Sequence, residues 1–328
     1  MSSADPLPIL RSVKEVRAWR KDAFKSQQQV GLVATMGALH EGHLELVRQS
    51  LKHTDRTVCS IFVNPAQFAP SEDLNTYPRT LEADLEKLRA IEVDGKKLAG
   101  VFLPGVQDLY PDGIEQDVSR QRGTFVEVVG YSQEMEGASR PTFFRGVATV
   151  VTKLFNIIQP DLTFFGQKDI QQCLLLRRMV SDLHLPHPPS ASHLRIIPTV
   201  RDFDNVALSS RNAYMSSSER RYAPVLYRAL KSGEQSVADA FASGSESFSV
   251  EAVLASAQQG ITDFLSNLLS TADPPDKVDI QLKYIKVNDP LTLKPMDAIR
   301  LGEAAVLSGA VTVGRTRLID NLLINIQL

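Results

Sequence analysis

The sequence predicts an α/β fold: a parallel-sheet domain over residues 1–199 and a smaller α+β domain over residues 200–328. Three observations carry this. First, two apolar runs, Gly31–Ala34 and Thr57–Val63, flank one amphipathic helix with Leu44, Val47 and Leu51 on a single face. Two strands joined through a helix make a βαβ unit, hence a parallel sheet with a right-handed crossover. Second, both runs end in turn residues, Gly37 after the first and Pro65 after the second. Ligands of such sheets bind beyond the carboxyl ends of the strands. Third, the texture changes near Val200, after which long helices precede alternating strands.

Taken in order, Val13–Gln29 reads as a helix (Val16, Trp19, Phe24) ending in a polar glutamine run. After the βαβ unit, Leu81–Ile91 is a helix, Val101–Leu103 a short strand closed by Pro104, and Phe125–Val129 a strand by its alternation. Gly146–Ile158 is a strongly apolar helix stopped by Pro160. Leu162–Phe165 is a buried strand, Ile170–Leu183 a helix and Leu194–Val200 a strand. Pro186–Ser192, with three prolines, reads as a surface insertion. In the smaller domain Glu219–Leu230 and Val250–Leu269 are helices, while Ser243–Ser249 and Ser270–Lys277 are loops. Asp279–Val287 and Ala304–Val313 are strands; in the first, Ile280, Leu282 and Tyr284 alternate with Gln281 and Lys283.

The 328 residues suffice for a large core, and 43% hydrophobic with 23% charged residues is ordinary for a soluble globular chain. A net charge of −2 argues against a broad nucleic-acid footprint. Cys59 and Cys173 lie in apolar runs, which predicts buried free thiols. No apolar run approaches the roughly 18 residues of a membrane span. Met1–Leu10 lacks a basic region followed by an apolar core. A cytoplasmic protein with small-molecule partners, and with neither nucleic-acid nor membrane partners, is the expectation.

The chemistry-bearing residues sit at strand ends. In Thr35–Leu44, strand, glycine turn and helix follow one another, which aims backbone N–H groups and a positive helix end at an anion. His40 and His43 stand at that helix entrance with Gly42 between them. Imidazole N–H groups donate to phosphate oxygens, so the stretch reads as a triphosphate cradle. Gly166–Asp169 repeats the geometry, with Lys168 as a point charge. Gln67 and Gln172 are neutral amides suited to a ligand with hydroxyl and carboxylate groups. Ser209-Ser210-Arg211 offers two hydroxyls and a guanidinium to phosphate. Taken singly, each of these last three groups has the plainer reading of an ordinary polar turn or surface side chain. His184, His187 and His193 fall in the proline-rich loop and read as solvated.

Several segments together resemble the pantothenate synthetase (pantoate–β-alanine ligase) family. They are Thr35–Leu44, Ser60–Phe68, Tyr77–Thr80, Gly146–Val151, Phe165–Gln172, Pro198–Arg201, Leu208–Asn212 and Thr316–Asn321, in order and almost end to end. The resemblance implies a Rossmann-like nucleotidyltransferase fold and a two-step, ATP-dependent ligation through pantoyl adenylate. Carried over, Met36, Gly37, His40, Gly42 and His43 line ATP, with His43 as proton donor to developing phosphate charge. Gly166, Gln167, Lys168, Asp169, Val200, Leu208, Ser209, Ser210 and Arg211 also hold ATP, and His40, Lys168 and Arg211 join His43 in catalysis. Gln67 and Gln172 hold pantoate. Mg²⁺ is implied with the triphosphate, mostly through phosphate oxygens, with Asp84 as a candidate protein contact. A homodimer is implied as well.

The chain departs from the family's pattern at four places. Alanine stands at Ala34 where proline is usual, glutamine at Gln167 where glutamate is usual, and phenylalanine at Phe143 where histidine is frequent. Before Ser209, Asn205-Val206 replaces a Gly-Leu pair, and Asn205 tolerates positive φ. The insertions at Asp94–Leu98, Pro186–Ser192 and Ser270–Lys277 look like a eukaryotic, fungal version. Because His40, His43, Lys168 and Arg211 are all present, an active enzyme is expected. Two other readings share the His-x-Gly-His turn: a nucleotidyltransferase whose product keeps the nucleotide, and a nucleotide binder without turnover.

Overall fold

A computed structural model describes residues 7–326. The chain divides into two compact units. The first takes the residues up to Gly166 together with Gln171–Pro198; the second takes Gln167–Ile170 and the chain from Thr199 onward.

The strands in chain order are β1 (Ile9–Leu10), β2 (Val30–Thr35), β3 (Arg56–Ile61), β4 (Glu92–Val93), β5 (Lys96–Lys97), β6 (Gly100–Phe102), β7 (Leu162–Gly166) and β8 (Leu194–Ile197), followed by β9 (Ser247–Ser249), β10 (Ile280–Asn288), β11 (Ala298–Arg300), β12 (Ala305–Val313) and β13 (Thr316–Ile324). The helices are α1 (Val13–Lys25), α2 (Glu41–His53), α3 (Leu81–Ala90), α4 (Val106–Leu109), α5 (Phe143–Ile158), α6 (Ile170–Asp182), α7 (Ser217–Tyr222), α8 (Val225–Ala242) and α9 (Val250–Leu269).

The first unit is a six-stranded, all-parallel sheet in the order β1-β6-β3-β2-β7-β8. From β2 the chain moves outward through β3 and β6, then returns to the other side of β2 with β7 and β8. The order therefore reverses between β2 and β7, and the crevice beyond their carboxyl ends is the ligand position of such sheets. One register row runs Val101, Cys59, Val33, Phe164 across the sheet. These side chains bury against Leu44, Val47 and Leu51 of α2, each worth about 1.5–3 kcal/mol. Cys59 and Cys173 are buried and free, and burial pushes the Cys59 thiol up to about 12, so it stays protonated.

The second unit packs α8 and α9 on an antiparallel sheet of order β10-β12-β13, beside a two-stranded β9-β11 pair. Together the two units give the expected α/β domain and smaller α+β domain.

Several elements differ from the sequence reading. Phe125–Val129 is not a strand. The Val126 N–H donates to Thr149 Oγ1 of α5 at 2.9 Å, Arg145 stacks on the Phe125 ring, and Val129 is exposed. The alternation there reflects packing onto a helix instead of pairing in a sheet. The helix expected over Glu219–Leu230 is two, because Pro224 cannot continue α7 and instead stands as N-cap of α8, which runs on to Ala242. The Ser-rich loop at Ser243–Ser249 closes with β9. In β10 a bulge between Leu282 and Tyr284 breaks the alternation, leaving Leu282 exposed while Ile285 and Val287 turn inward. β13 pairs with β12 through the two-residue turn Gly314-Arg315. His184 is exposed, whereas His187 is half-buried and burial lowers its pKa.

Candidate functional site

The turn after β2 is built from both sides. Gly37 takes φ +84° and Ala38 φ +50°, conformations in which glycine is at ease and alanine is strained. The turn persists because α3 grips it: Asp84 accepts the Ala38 N–H at 2.9 Å and the Leu39 N–H at 2.8 Å. One helical turn on, Lys87 donates to the Leu39 carbonyl at 2.5 Å. Asp84 is 1% exposed, and its Oδ1 also accepts from Thr80 at 3.2 Å. The carboxylate expected as a metal contact thus spends both oxygens on N–H and O–H donors and braces the turn. Among the described residues no group of three or more His, Cys, Asp or Glu side chains is placed to hold a metal ion.

His40 is the N-cap of α2. Its Nδ1 accepts the Gly42 N–H at 3.1 Å, and His43 Nδ1 faces the His40 N–H at 3.5 Å, a histidine version of the capping box. The two ring centroids stand 4.1 Å apart, tilted by 38°. With both Nδ1 atoms as acceptors, each neutral ring carries its proton on Nε2. The local capping pattern therefore fixes which nitrogen of each imidazole is a donor.

Gln67 closes the short helical turn after β3 and is buried. Asn64, itself fully buried, organises this turn. Its Nδ2 donates to Gln67 Oε1 at 3.0 Å and to the Gly146 carbonyl at 3.1 Å, while its Oδ1 accepts from the Tyr110 hydroxyl at 2.9 Å. Burial raises the Tyr110 pKa, which keeps that donor protonated. The Gln67 amide is held by its oxygen. Arg140 adds a bond to the Gln67 carbonyl at 3.3 Å while pairing both oxygens of Glu72 at 2.6 and 2.9 Å. Phe143, where the family often has histidine, lies under the Arg140 guanidinium at 3.9 Å.

Helix α5 presses directly on this turn. A Cβ at Gly146 would stand 2.2 Å from the Ala66 carbonyl oxygen. Gly146→Ala is expected to cost about 1–3 kcal/mol by overpacking against backbone. Thermal melting checks this.

In α6 the adjacent glutamines divide. Gln172, half-buried, is the expected ligand residue. Gln171, buried, donates to the Tyr131 and Glu134 carbonyls at 2.9 and 2.7 Å and accepts the Glu136 N–H at 2.9 Å. It fixes the loop over 131–136, a role for which the sequence carries no signal beyond its place next to Gln172.

The remaining predicted residues belong to the second unit, apart from Gly166, the last residue of β7. Gln167–Asp169 form a short 3₁₀ turn in which Lys168 Nζ pairs with Asp169 at 3.0 Å. Val200 and Leu208 are joined by a bond from the Leu208 N–H to the Val200 carbonyl at 3.1 Å. They close a hairpin with a bridge between Arg201 and Ala207 and a tip at Asn205, whose φ is +72°. That is the positive φ expected where asparagine replaces glycine. Ser209 caps the turn Ser210–Tyr214 by accepting the Arg211 N–H at 3.3 Å. Asp320 and Asn321 of β13, which the sequence reading placed only within the Thr316–Asn321 segment and gave no role, are buried partners of this group.

A parallel sheet with reversed strand order, a glycine turn and an imidazole-capped helix beyond its carboxyl edge define an α/β enzyme of the Rossmann-like nucleotide-binding class. A family profile described as pantoate-beta-alanine ligase matches residues 8–323. The chain belongs to that family. It is 45% identical over 234 residues to the pantoate–beta-alanine ligase of Saccharomyces cerevisiae, covering 70% of this chain and 72% of that one. The crystal structure of pantothenate synthetase from Thermus thermophilus matches with a TM-score of 0.76 and 37% identity, over 96% of this chain and 99% of that one. A pantoate–beta-alanine ligase from Francisella tularensis, solved in complex with beta-gamma ATP and beta-alanine, matches with a TM-score of 0.70 and 28% identity over 97% of both chains.

Proposed function

We propose the following division of labour for the ligation of pantoate to β-alanine. The pantoate carboxylate attacks the α-phosphorus of ATP and pyrophosphate leaves. The amine of β-alanine then attacks the acyl carbon of pantoyl adenylate, AMP leaves, and an amide remains. The protein's task is to orient the reactants and offset the charge that develops on phosphate. The observation that carries the assignment is the imidazole pair at the start of α2, with both Nδ1 atoms turned to backbone N–H groups. His43 Nε2–H donates to a phosphate oxygen as negative charge grows, with His40 beside it, and Met36, Gly37 and Gly42 bring backbone close to the nucleotide.

Gln67 and Gln172 take the hydroxyl and carboxylate groups of pantoate. Gly166 through Asp169, Val200 and Leu208 through Arg211 take ATP. Gly166 supports this reading: a Cβ there meets no heavy atom within 4 Å and its φ lies outside the left-handed region. Neither packing nor backbone strain asks for glycine, which leaves close approach of a ligand. ATP and β-alanine in the Francisella relative support the same substrates. Mg²⁺ fits as a companion of the triphosphate, held by phosphate oxygens and water, because the Asp84 oxygens are engaged by donors. It would add positive charge at the phosphates. A cytoplasmic homodimer completes the proposal. No helix of the described residues is long and apolar enough to cross a membrane, and sedimentation measures the assembly.

Mixing the protein with ATP, Mg²⁺, pantoate and β-alanine should release AMP only when both organic substrates are present. Nucleotide retained on the product would refute the assignment. Within it, Lys168→Ala is expected to raise the ATP KM roughly tenfold, the worth of one charged hydrogen bond, with the pantoate KM unmoved.

A further inference from the structure

Two adjacent polar side chains on β13 are buried. Asp320 is 5% exposed and Asn321 is 1% exposed. Each is held in register with β12, opposite Gly309 and Ser308, and successive strand residues point to opposite faces. The strand therefore reaches two different chain segments from one dipeptide.

Asn321 Nδ2 donates to the Gln167 carbonyl at 2.9 Å and the Lys168 carbonyl at 3.0 Å, and its Oδ1 accepts from Gln167 Nε2 at 3.2 Å. These three bonds fix both the turn and the orientation of the amide. Asp320 takes the Arg201 guanidinium with both oxygens, at 2.6 and 3.0 Å, and also accepts the Asn321 N–H at 2.8 Å. Arg201 in turn donates to the Asn205 carbonyl at 3.0 Å and lies over the Tyr227 ring at 4.4 Å. Its position sets the hairpin that ends in Val200 and Leu208.

We propose that Asp320 and Asn321 are positioning residues for the nucleotide. Asn321 sets the Gln167–Lys168 turn, and Asp320, through Arg201, sets the Val200–Leu208 hairpin. The proposal rests on the reading of these two segments as ATP-binding. It also gives Gln167 a purpose in this chain. A glutamine donates to Asn321 Oδ1 in this chain, a bond that a glutamate there would not donate.

The test uses the full-length enzyme. Asn321→Asp keeps size and shape but sets an oxygen against two carbonyl oxygens. It should raise the ATP KM, and the Kd of a non-hydrolysable ATP analogue, by about tenfold or more. The KM values for pantoate and β-alanine should stay within about twofold of the parent. A merely structural role would instead lower the melting temperature and active fraction with all three KM values unchanged. Arg201→Lys, which keeps the charge but loses the paired contact with Asp320, should raise the ATP KM severalfold, and it decides the matter if Asn321→Asp does not fold. Lys168→Ala is the reference. If it raises the ATP KM while Asn321→Asp and Arg201→Lys do not, the positioning role is overturned and the ATP-site reading stands. If none of the three moves the ATP KM, both are overturned.

Discussion

His43→Asn is expected to lower kcat by about 10²–10⁴, the range for loss of a positioned proton donor, while leaving the melting temperature nearly unchanged. The reasoning lies in the geometry of the α2 entrance. His43 meets the His40 N–H through Nδ1, and the oxygen of asparagine occupies much the same place and accepts the same bond. The part asparagine cannot supply is the Nε2–H farther along the ring. The variant therefore separates the capping role from the chemical one. The measurement is steady-state AMP release beside a thermal melt. A rate within a few-fold of the parent would remove His43 from the mechanism.

Asp84→Asn is expected to be costly in both stability and rate. The carboxylate receives two backbone N–H groups and a hydroxyl in a buried setting. An amide presents one oxygen and one NH₂, so at least one N–H donor would face another donor. Hydrogen bonds to a buried charged group and unsatisfied buried donors set the scale, roughly 3 kcal/mol for the exchange. Ala38 depends on those bonds to stay at positive φ. The turn should loosen and carry the start of α2 with it, lowering kcat as well as thermal stability. Denaturant titration gives the first effect and AMP release the second. Full activity with an unchanged midpoint would show that the turn needs no such support.

What the chain disclosed before its structure was known is uneven for physical reasons. The parallel sheet was legible because Gly31–Ala34 and Thr57–Val63 are continuous apolar runs, and only strands covered on both faces read that way. His40 and His43 were legible because a helix start and its cap are local in sequence. Phe125–Val129 misled because period-two alternation records an environment, and a loop lying on a helix supplies the same one. The partners of the predicted residues were illegible because they are distant. Asp84 reaches back 46 residues to Ala38, and Asn64 reaches 82 residues to Gly146. No periodicity within a segment reports such a bond. The positive φ at Asn205 was legible because asparagine is among the few residues at home there.

The bond between Asn321 and Lys168 spans 153 residues. During translation, then, β7 and α6 are made long before the side chain that orders the turn between them leaves the ribosome. A nascent or prematurely terminated polypeptide ending at Pro198 would carry every strand of the parallel sheet, yet its lysine would hang on an unpinned tether. Under the proposed reading, a truncated chain of this kind carries the lysine without the amide that sets its turn, and should bind ATP weakly.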